Sequence, residues 1–82
     1  MTSQQASEIV KILKGGKEYK SGHYHYGYIY YYFSNDKFFK KREDLSVNIF
    51  EPTIDIEEFT EQNFIEHLVN EADFEEFCSN IQ

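Results

Sequence analysis

The sequence predicts one small α+β domain, residues 1–82, in which a helix is followed by a three-stranded antiparallel β-meander and two C-terminal helices. Three observations predict this layout. A chain of 82 residues is the size of a single domain. Apolar residues recur at helical spacing near both ends of the chain, and the stretch HYHYGYIYYYF at 23–33 alternates with the period of two that is typical of a strand. We expect the helices to pack on one face of the sheet.

The first helix is predicted over about 3–14. Thr2 and Gln5 fit a capping box, in which each side chain satisfies a backbone N–H group of the other residue. Apolar residues then recur at i, i+3, i+4 and i+7, namely Ala6, Ile9, Val10 and Leu13. Gly15 and Gly16 supply the C-terminal stop.

The meander is predicted from strands at about 23–33, 37–43 and 45–51. Asn35 and Asp36 tolerate the positive φ of a two-residue hairpin loop, and such a loop fixes the register of the first pair. The predicted partners are Phe33 with Phe38, Tyr32 with Phe39, Tyr31 with Lys40 and Tyr30 with Lys41. Asp44 allows the second turn, and Pro52 ends the third strand because proline lacks the N–H group that a ladder needs.

The pattern returns to helix from Asp55 onward, and two helices are predicted at about 60–69 and 71–80. Thr60 caps the first of these helices and Asn70 caps the second. Their apolar faces are Phe64, Ile65, Leu68 and Val69 in the first, and Phe74, Phe77, Cys78 and Ile81 in the second.

The first strand must bury one of its two faces, because all three helices have an apolar stripe to cover. The row of Ile29, Tyr31 and Phe33 holds the fully apolar residues, so we predict that it points inward. The other row then points outward and forms a secondary contact surface, because tyrosine can pack and hydrogen-bond at once. This row is Tyr24, Tyr26, Tyr28, Tyr30 and Tyr32.

No pattern predicts a catalytic, cofactor-binding or metal-binding residue. His23 and His25 share a strand face at a spacing that metal sites use, but the sequence fixes no third or fourth ligand. Adjacent carboxylates such as Glu57 and Glu58 point apart on a helix, and there is no nucleophile elbow or phosphate-binding loop. We therefore expect a protein that is not an enzyme and has no cofactor.

The sequence also predicts a cytoplasmic protein that is not in a membrane. The single cysteine, Cys78, cannot form an intramolecular disulfide. The N-terminal stretch lacks the basic and apolar regions of a secretion signal, and no run approaches the roughly 20 apolar residues of a membrane span.

Charge is divided unevenly along the chain. Residues 1–42 hold all eight Lys and Arg against three acids, which gives +5, whereas residues 43–82 hold twelve acids without Lys or Arg, which gives −12. Lysine normally neutralises glutamate on a solvated helix, and like charges at this density cost stability. A merely solvated acidic face is the plain alternative to a binding surface.

The leading hypothesis is a non-enzymatic acidic protein that binds a basic protein partner, such as a nuclease or a nucleic-acid-binding protein, as an inhibitor or DNA mimic. In size, charge and layout the chain resembles small phage-encoded inhibitors of host nucleases and bacterial immunity proteins for nuclease toxins, although no motif assigns it to either class. The predicted contact residues are Glu57, Glu58, Glu61, Glu66, Glu71, Asp73, Glu75 and Glu76.

Two alternatives remain open at this stage. The chain can be a self-associating structural or adaptor domain in which the basic, tyrosine-rich hairpin meets its own acidic half or pairs sheet edges. It can also be a small nucleic-acid binder in which the tyrosines stack on bases while Lys40, Lys41 and Arg42 track phosphates. Direct nucleic-acid binding is the weaker expectation, because the acidic half repels a polyanion.

Overall fold

The computed structural model describes residues 1–45 and 50–82. The observed elements, in chain order, are α1 (Ser3–Lys14), β1 (Tyr19–His23), β2 (Gly27–Ser34), β3 (Lys37–Asp44), β4 (Thr53–Phe59), α2 (Glu61–Glu71) and α3 (Phe74–Ser79). The four strands form one antiparallel sheet in the order β1-β2-β3-β4. The predicted α+β class is confirmed, with four strands in place of three.

Helix α1 matches its prediction. The Thr2 side chain accepts a hydrogen bond from the Gln5 N–H, and the Gln5 side chain accepts one from the Thr2 N–H, so the capping box is complete. The predicted apolar stripe of Ala6, Ile9, Val10 and Leu13 is buried. Lys11 and Lys14 lie in the last turn, where cations favour the helix dipole.

The β2–β3 hairpin also has the predicted register. Asn35 and Asp36 adopt φ angles of 51° and 62°, as a two-residue loop between twisted strands requires. Phe33 then pairs with Phe38, and the three further predicted pairs follow in step. The inward row is correct as well, because Tyr31 is buried and Ile29 and Phe33 pack against the core.

The predicted strand over 23–33 is wrong at its start. Residues 24–26 form a turn, closed by a hydrogen bond from the Tyr26 N–H to the His23 carbonyl, and this turn separates β1 from β2. The flanking glycines fix it: a Cβ on Gly22 would lie 2.1 Å from the Gly27 carbonyl oxygen, and a Cβ on Gly27 would lie 2.0 Å from that of Glu43. The backbones meet too closely there for any side chain.

The last predicted strand also needs correction. Residues 46–49 of the predicted strand 45–51 lie outside the described residues, and Leu45, Phe50 and Glu51 are not in a strand. The next strand to pair with β3 is β4, which begins at Thr53. Pro52 therefore precedes a strand, whereas it was predicted to end one. The helical pattern predicted from Asp55 onward therefore begins only at α2.

The two C-terminal helices exist, with shifted bounds. Thr60 caps α2 as predicted, its hydroxyl accepting from the Asn63 N–H. Asn70 lies inside α2 and is not a cap; Asp73 caps α3 by accepting from the Glu76 N–H. Cys78, predicted on the apolar face, is exposed.

All three helices lie on one face of the sheet, and the core lies between them. Phe38 of β3 and Phe64 of α2 stack with centroids 4.7 Å apart, while Tyr19 of β1 stacks on Phe77 of α3 at 4.3 Å. No polar side chain is buried among the described residues. The opposite face of the sheet is called the outward sheet face below, and none of the helices of the described chain lies over it.

Candidate partner-binding surface

The eight carboxylates predicted to bind a partner are all exposed. They are spread over three elements: Glu57 and Glu58 on β4, Glu61, Glu66 and Glu71 on α2, Asp73 as the cap of α3, and Glu75 and Glu76 on α3. The structure therefore supports their accessibility. It does not place them on a single flat face.

The two acids of β4 point to opposite sides of the sheet. Phe59 pairs with Phe38 and packs against the core, so the row containing Phe59 and Glu57 is on the helix side. Glu58 is in the alternate row, on the outward sheet face. Both side chains were predicted on or near a helix, and their strand position is the reason that they separate.

Part of the acidic half is balanced by the strand beside it. Lys40 of β3 is the cross-strand partner of Glu57, and Arg42 is the partner of Asp55. Opposite charges in such positions stabilise a sheet modestly. The division of charge at Arg42 hid this complementarity, because it assigned the two paired strands to different halves of the chain.

Three of the helical acids have structural roles of their own. Glu61 forms an ion pair with Lys14, which joins α2 to α1. Asp73 is occupied as a cap, and Glu76 accepts a hydrogen bond from the Tyr19 hydroxyl at 3.4 Å. The other helical acids have no ion pair within the described part of the chain; these are Glu66, Glu71 and Glu75.

A tyrosine–histidine pair joins α2 to β2 on the helix side of the sheet. The Tyr31 hydroxyl and His67 Nε2 are 3.0 Å apart. Burial raises the pKa of Tyr31 to about 12, and the charges of Glu57 and Glu71 contribute to that rise. Burial also lowers the pKa of His67, and Lys40 adds to the effect by repelling the imidazolium. Both groups are therefore uncharged at neutral pH, in a hydrogen bond that anchors α2 to β2.

The secondary contact surface divides into two parts. Tyr28, Tyr30 and Tyr32 lie on the outward sheet face, as predicted, because they alternate with the inward Ile29, Tyr31 and Phe33. Tyr24 and Tyr26 instead lie in the turn between β1 and β2 and are strongly exposed. The turn interrupts the period of two, which the sequence pattern alone did not show.

Lysines cover the tyrosines of the outward sheet face. The Lys20 Nζ atom is 4.5 Å from the centroid of the Tyr28 ring, and the Lys41 Nζ atom is 5.2 Å from that of Tyr30. Such cation–π contacts are attractive and occupy the ring faces on which a base would stack. Tyr32 stacks on Phe39 with centroids 5.3 Å apart.

Sequence reasoning missed Ile54 and Ile56, which are 50% and 59% exposed on β4. They alternate with Asp55 and Glu57, so apolar side chains line the outward row of β4 while acids line its helix side. The period of two in TIDIEEF at 53–59 is the signal that indicates this strand. A shallow groove runs beside it, lined by Lys40, Arg42, Asp55, Ile56 and Glu57.

The two histidines considered as metal ligands do not share a strand face. His23 ends β1 and His25 lies in the following turn, where its N–H donates to His23 Nδ1 at 3.1 Å. Their rings lie 5.1 Å apart between centroids. The described residues contain no group of three or more His, Cys, Asp or Glu placed to hold a metal ion.

Comparison with protein-family models, with curated proteins and with solved structures finds no match in any of the three. Within residues 1–45 and 50–82, no helix is both long and apolar enough to cross a bilayer.

Proposed function

We propose that this chain is a non-enzymatic cytoplasmic binding protein that inhibits a basic partner, such as a nuclease or a nucleic-acid-binding protein, by docking through its carboxylates. One observation carries the proposal. The carboxylates of β4, α2 and α3 are exposed, and among the eight predicted contact residues only Glu61 forms an ion pair within the described part of the chain.

Electrostatics gives the physical reason. Exposed like charges repel one another, and a basic surface relieves that repulsion when it binds. Complementary charge also steers encounter and makes association fast and dependent on salt. A basic groove that binds duplex DNA meets about one phosphate charge per 1.7 Å of helix axis. Carboxylates spread over several elements of one small domain present such a groove with a similar series of negative charges.

We further propose that only some of these acids make the contact. Glu61, Asp73 and Glu76 already have partners inside the domain, and Glu58 lies on the opposite side of the sheet from the helices. On the helix side, Glu66, Glu71 and Glu75 have no ion pair in the described part of the chain, and Glu57 lies there as well, opposite Lys40. Glu57 and Glu71 both act on the pKa of Tyr31 and of His67, so these two acids belong to one neighbourhood.

The test is affinity capture from a lysate of the source cells, with two charge-matched variants. Glu66→Lys/Glu71→Lys alters the proposed contact, whereas Glu8→Lys/Glu18→Lys changes net charge equally at exposed positions elsewhere. Glu71 is in the last turn of α2, where lysine suits the helix dipole, and Glu66 is an exposed mid-helix position, so the fold should persist. We expect the wild type and the Glu8/Glu18 variant to retain a basic nucleic-acid-binding protein that excess duplex DNA or high salt releases.

The same capture should fail for the Glu66/Glu71 variant. Equal capture by both variants would show that the helical acids are not the contact. Recovery of no basic protein at any salt concentration would refute the proposed function itself.

The exposed outward sheet face supports self-association as a second candidate function. Ile54 and Ile56 are exposed there and Tyr32 is half-buried. Light scattering at high concentration tests whether the chain stays monomeric. Nucleic-acid binding by the hairpin has less support. Lys20 and Lys41 lie over the rings of Tyr28 and Tyr30, and Glu43 shares that face.

A further inference from the structure

The two edges of the sheet are treated differently by the rest of the chain. At the β1 edge, the Gln82 N–H donates to the Glu18 carbonyl at 2.9 Å, and the Lys20 N–H donates to the Asn80 carbonyl at 3.1 Å. The C-terminal segment therefore pairs with the first residues of this edge strand and covers that part of it. Covering an edge strand is a common protection against unwanted strand pairing.

The β4 edge has no such cover in the described structure. Within residues 1–45 and 50–82, strand β4 is last in the sheet, and its only partner strand is β3. Among the described residues, no backbone hydrogen bond joins 53–59 to anything beyond that strand. Alternate N–H and C=O groups of an antiparallel edge strand point away from the sheet, so β4 presents a row of unused donors and acceptors.

The side chains along this edge specify what can pair with it. On the outward sheet face, Ile54 and Ile56 offer apolar contacts. On the helix side, Asp55 and Glu57 offer negative charge. An added strand places its residues alternately on these two sides, so it matches β4 when apolar residues alternate with Lys or Arg.

The chain already contains one half of this arrangement. Strand β3 places Lys40 opposite Glu57 and Arg42 opposite Asp55, on the internal side of β4. A basic strand on the free side would flank the same acids from the other direction.

We propose that the free edge of β4 binds an extended segment of the basic partner, in which Lys or Arg alternates with apolar residues, as an added fifth strand. This proposal rests on the proposed function and names how the partner is held. Main-chain hydrogen bonds supply affinity in this mode, and the alternating side chains supply specificity.

A second copy of the chain is a poorer occupant of the same edge. Two β4 strands pairing about a twofold axis bring Asp55, Glu57 and Glu58 of one copy close to the same acids of the other. Like charges in cross-strand positions are destabilising. The negative charge on this edge therefore favours pairing with a basic strand and disfavours pairing with the β4 strand of a second copy.

The test uses the free chain and two synthetic peptides of equal charge and composition. The probe is Lys-Val-Lys-Val-Lys-Val-Lys, and the control is Lys-Lys-Lys-Lys-Val-Val-Val, both with blocked ends. We expect the alternating probe to bind at least about tenfold more tightly, because only it can place every lysine on the acidic side. Amide hydrogen exchange should slow within 53–59 when the probe is bound.

Two variants test the site. Ile54→Lys/Ile56→Lys should weaken probe binding at least about tenfold, because lysines on the outward row of an edge strand oppose pairing. Ile54→Val/Ile56→Val should retain it. Both residues are exposed, and a urea unfolding curve verifies that each variant folds. Equal binding of the two peptides, or exchange protection outside β4, would overturn the proposal.

The captured partner separates the two proposals. If the Ile54→Lys/Ile56→Lys variant still captures it while the Glu66→Lys/Glu71→Lys variant does not, the docking function stands and strand addition is refuted. If the probe protects β4 but no basic protein is captured, the edge binds basic strands and the proposed function fails.

Discussion

Removing the hydroxyl of Tyr31 should change how the domain responds to alkali. Tyr31 is 7% exposed, and its hydroxyl lies 3.0 Å from His67 Nε2. Its pKa is raised to about 12, chiefly by burial, against an ordinary tyrosine value of 10.0. Because the folded state holds the proton more tightly, the resulting stability is present in full below pH 10 and is lost as pH rises toward 12.

The magnitude follows from the size of the shift. A shift of one pKa unit corresponds to about 1.36 kcal/mol, so a rise from 10.0 to about 12 corresponds to about 2.7 kcal/mol, of which about half is lost by pH 11. At neutral pH the Tyr31→Phe variant loses one hydrogen bond, worth about 0.5–1.5 kcal/mol. We therefore expect the wild type to be the more stable protein at pH 8 and to lose that advantage by pH 11.

Urea unfolding of both proteins at pH 8 and pH 11 measures this difference. Tyr30 also has a raised pKa, but it is present in wild type and variant, so its contribution cancels in the comparison. Tyr19 has a raised pKa as well and interacts electrostatically with Tyr31, so the comparison measures Tyr31 together with that coupling. Between pH 8 and pH 11, the free energy of unfolding should fall by about 1.4 kcal/mol less in the variant than in the wild type. An identical loss in the two proteins would refute the reasoning that burial holds the Tyr31 proton.

Two further substitutions test the core and the sheet. Phe64→Ala removes a fully buried ring and should lower the free energy of unfolding by about 3–5 kcal/mol. This is a large share of the about 4–12 kcal/mol expected for a domain of this length. Phe50→Ala, at an 87% exposed position, should cost less than about 1 kcal/mol in the same urea assay. Comparable losses would contradict the assigned core. Gly27→Ala should lower the melting temperature far more than Gly16→Ala: both have positive φ, but only the Cβ at Gly27 meets backbone, the Glu43 carbonyl oxygen at 2.0 Å. Calorimetry measures both, and equal shifts would mean that φ strain alone decides.

Sequence reasoning succeeded where the decisive signal was local. The capping box of Thr2 and Gln5 defines the start of α1 within a few residues of chain, and the Asn35–Asp36 loop fixes the β2–β3 register by its own geometry. The inward row of β2 was also predictable, because a one-residue slip would expose Ile29 and Phe33 together.

It failed where the signal depends on a distant partner. Strand β1 has five residues, of which only Tyr19 is buried, so its own pattern is weak. Strand β4 contains three acids, a residue type that is depleted in strands, and the cations opposite two of them, Asp55 and Glu57, lie on β3. For α3, Asn70 and Asp73 are both good caps, and the point where α2 ends decides between them.

The candidate surface likewise was predictable only where the signal did not depend on a distant partner. Composition correctly marked the eight carboxylates as exposed, because unpaired charges avoid the interior. It could not separate the acids with internal partners, such as Glu61 on Lys14, from acids such as Glu66 that have none in the described structure. It also passed over Ile54 and Ile56, since single exposed apolar residues are common and become informative only on an edge strand.

The pairing of the C-terminal segment with β1 has a consequence for how the domain assembles. Every strand pair in the sheet joins neighbours in the chain, so each can form by closing a short loop. The bridge between Tyr19 and Ile81 instead joins positions near opposite ends of the chain and carries a larger loop-closure entropy. The meander can thus order from its turns, while closure of the β1 edge waits until α2 and α3 have brought the chain end back to it.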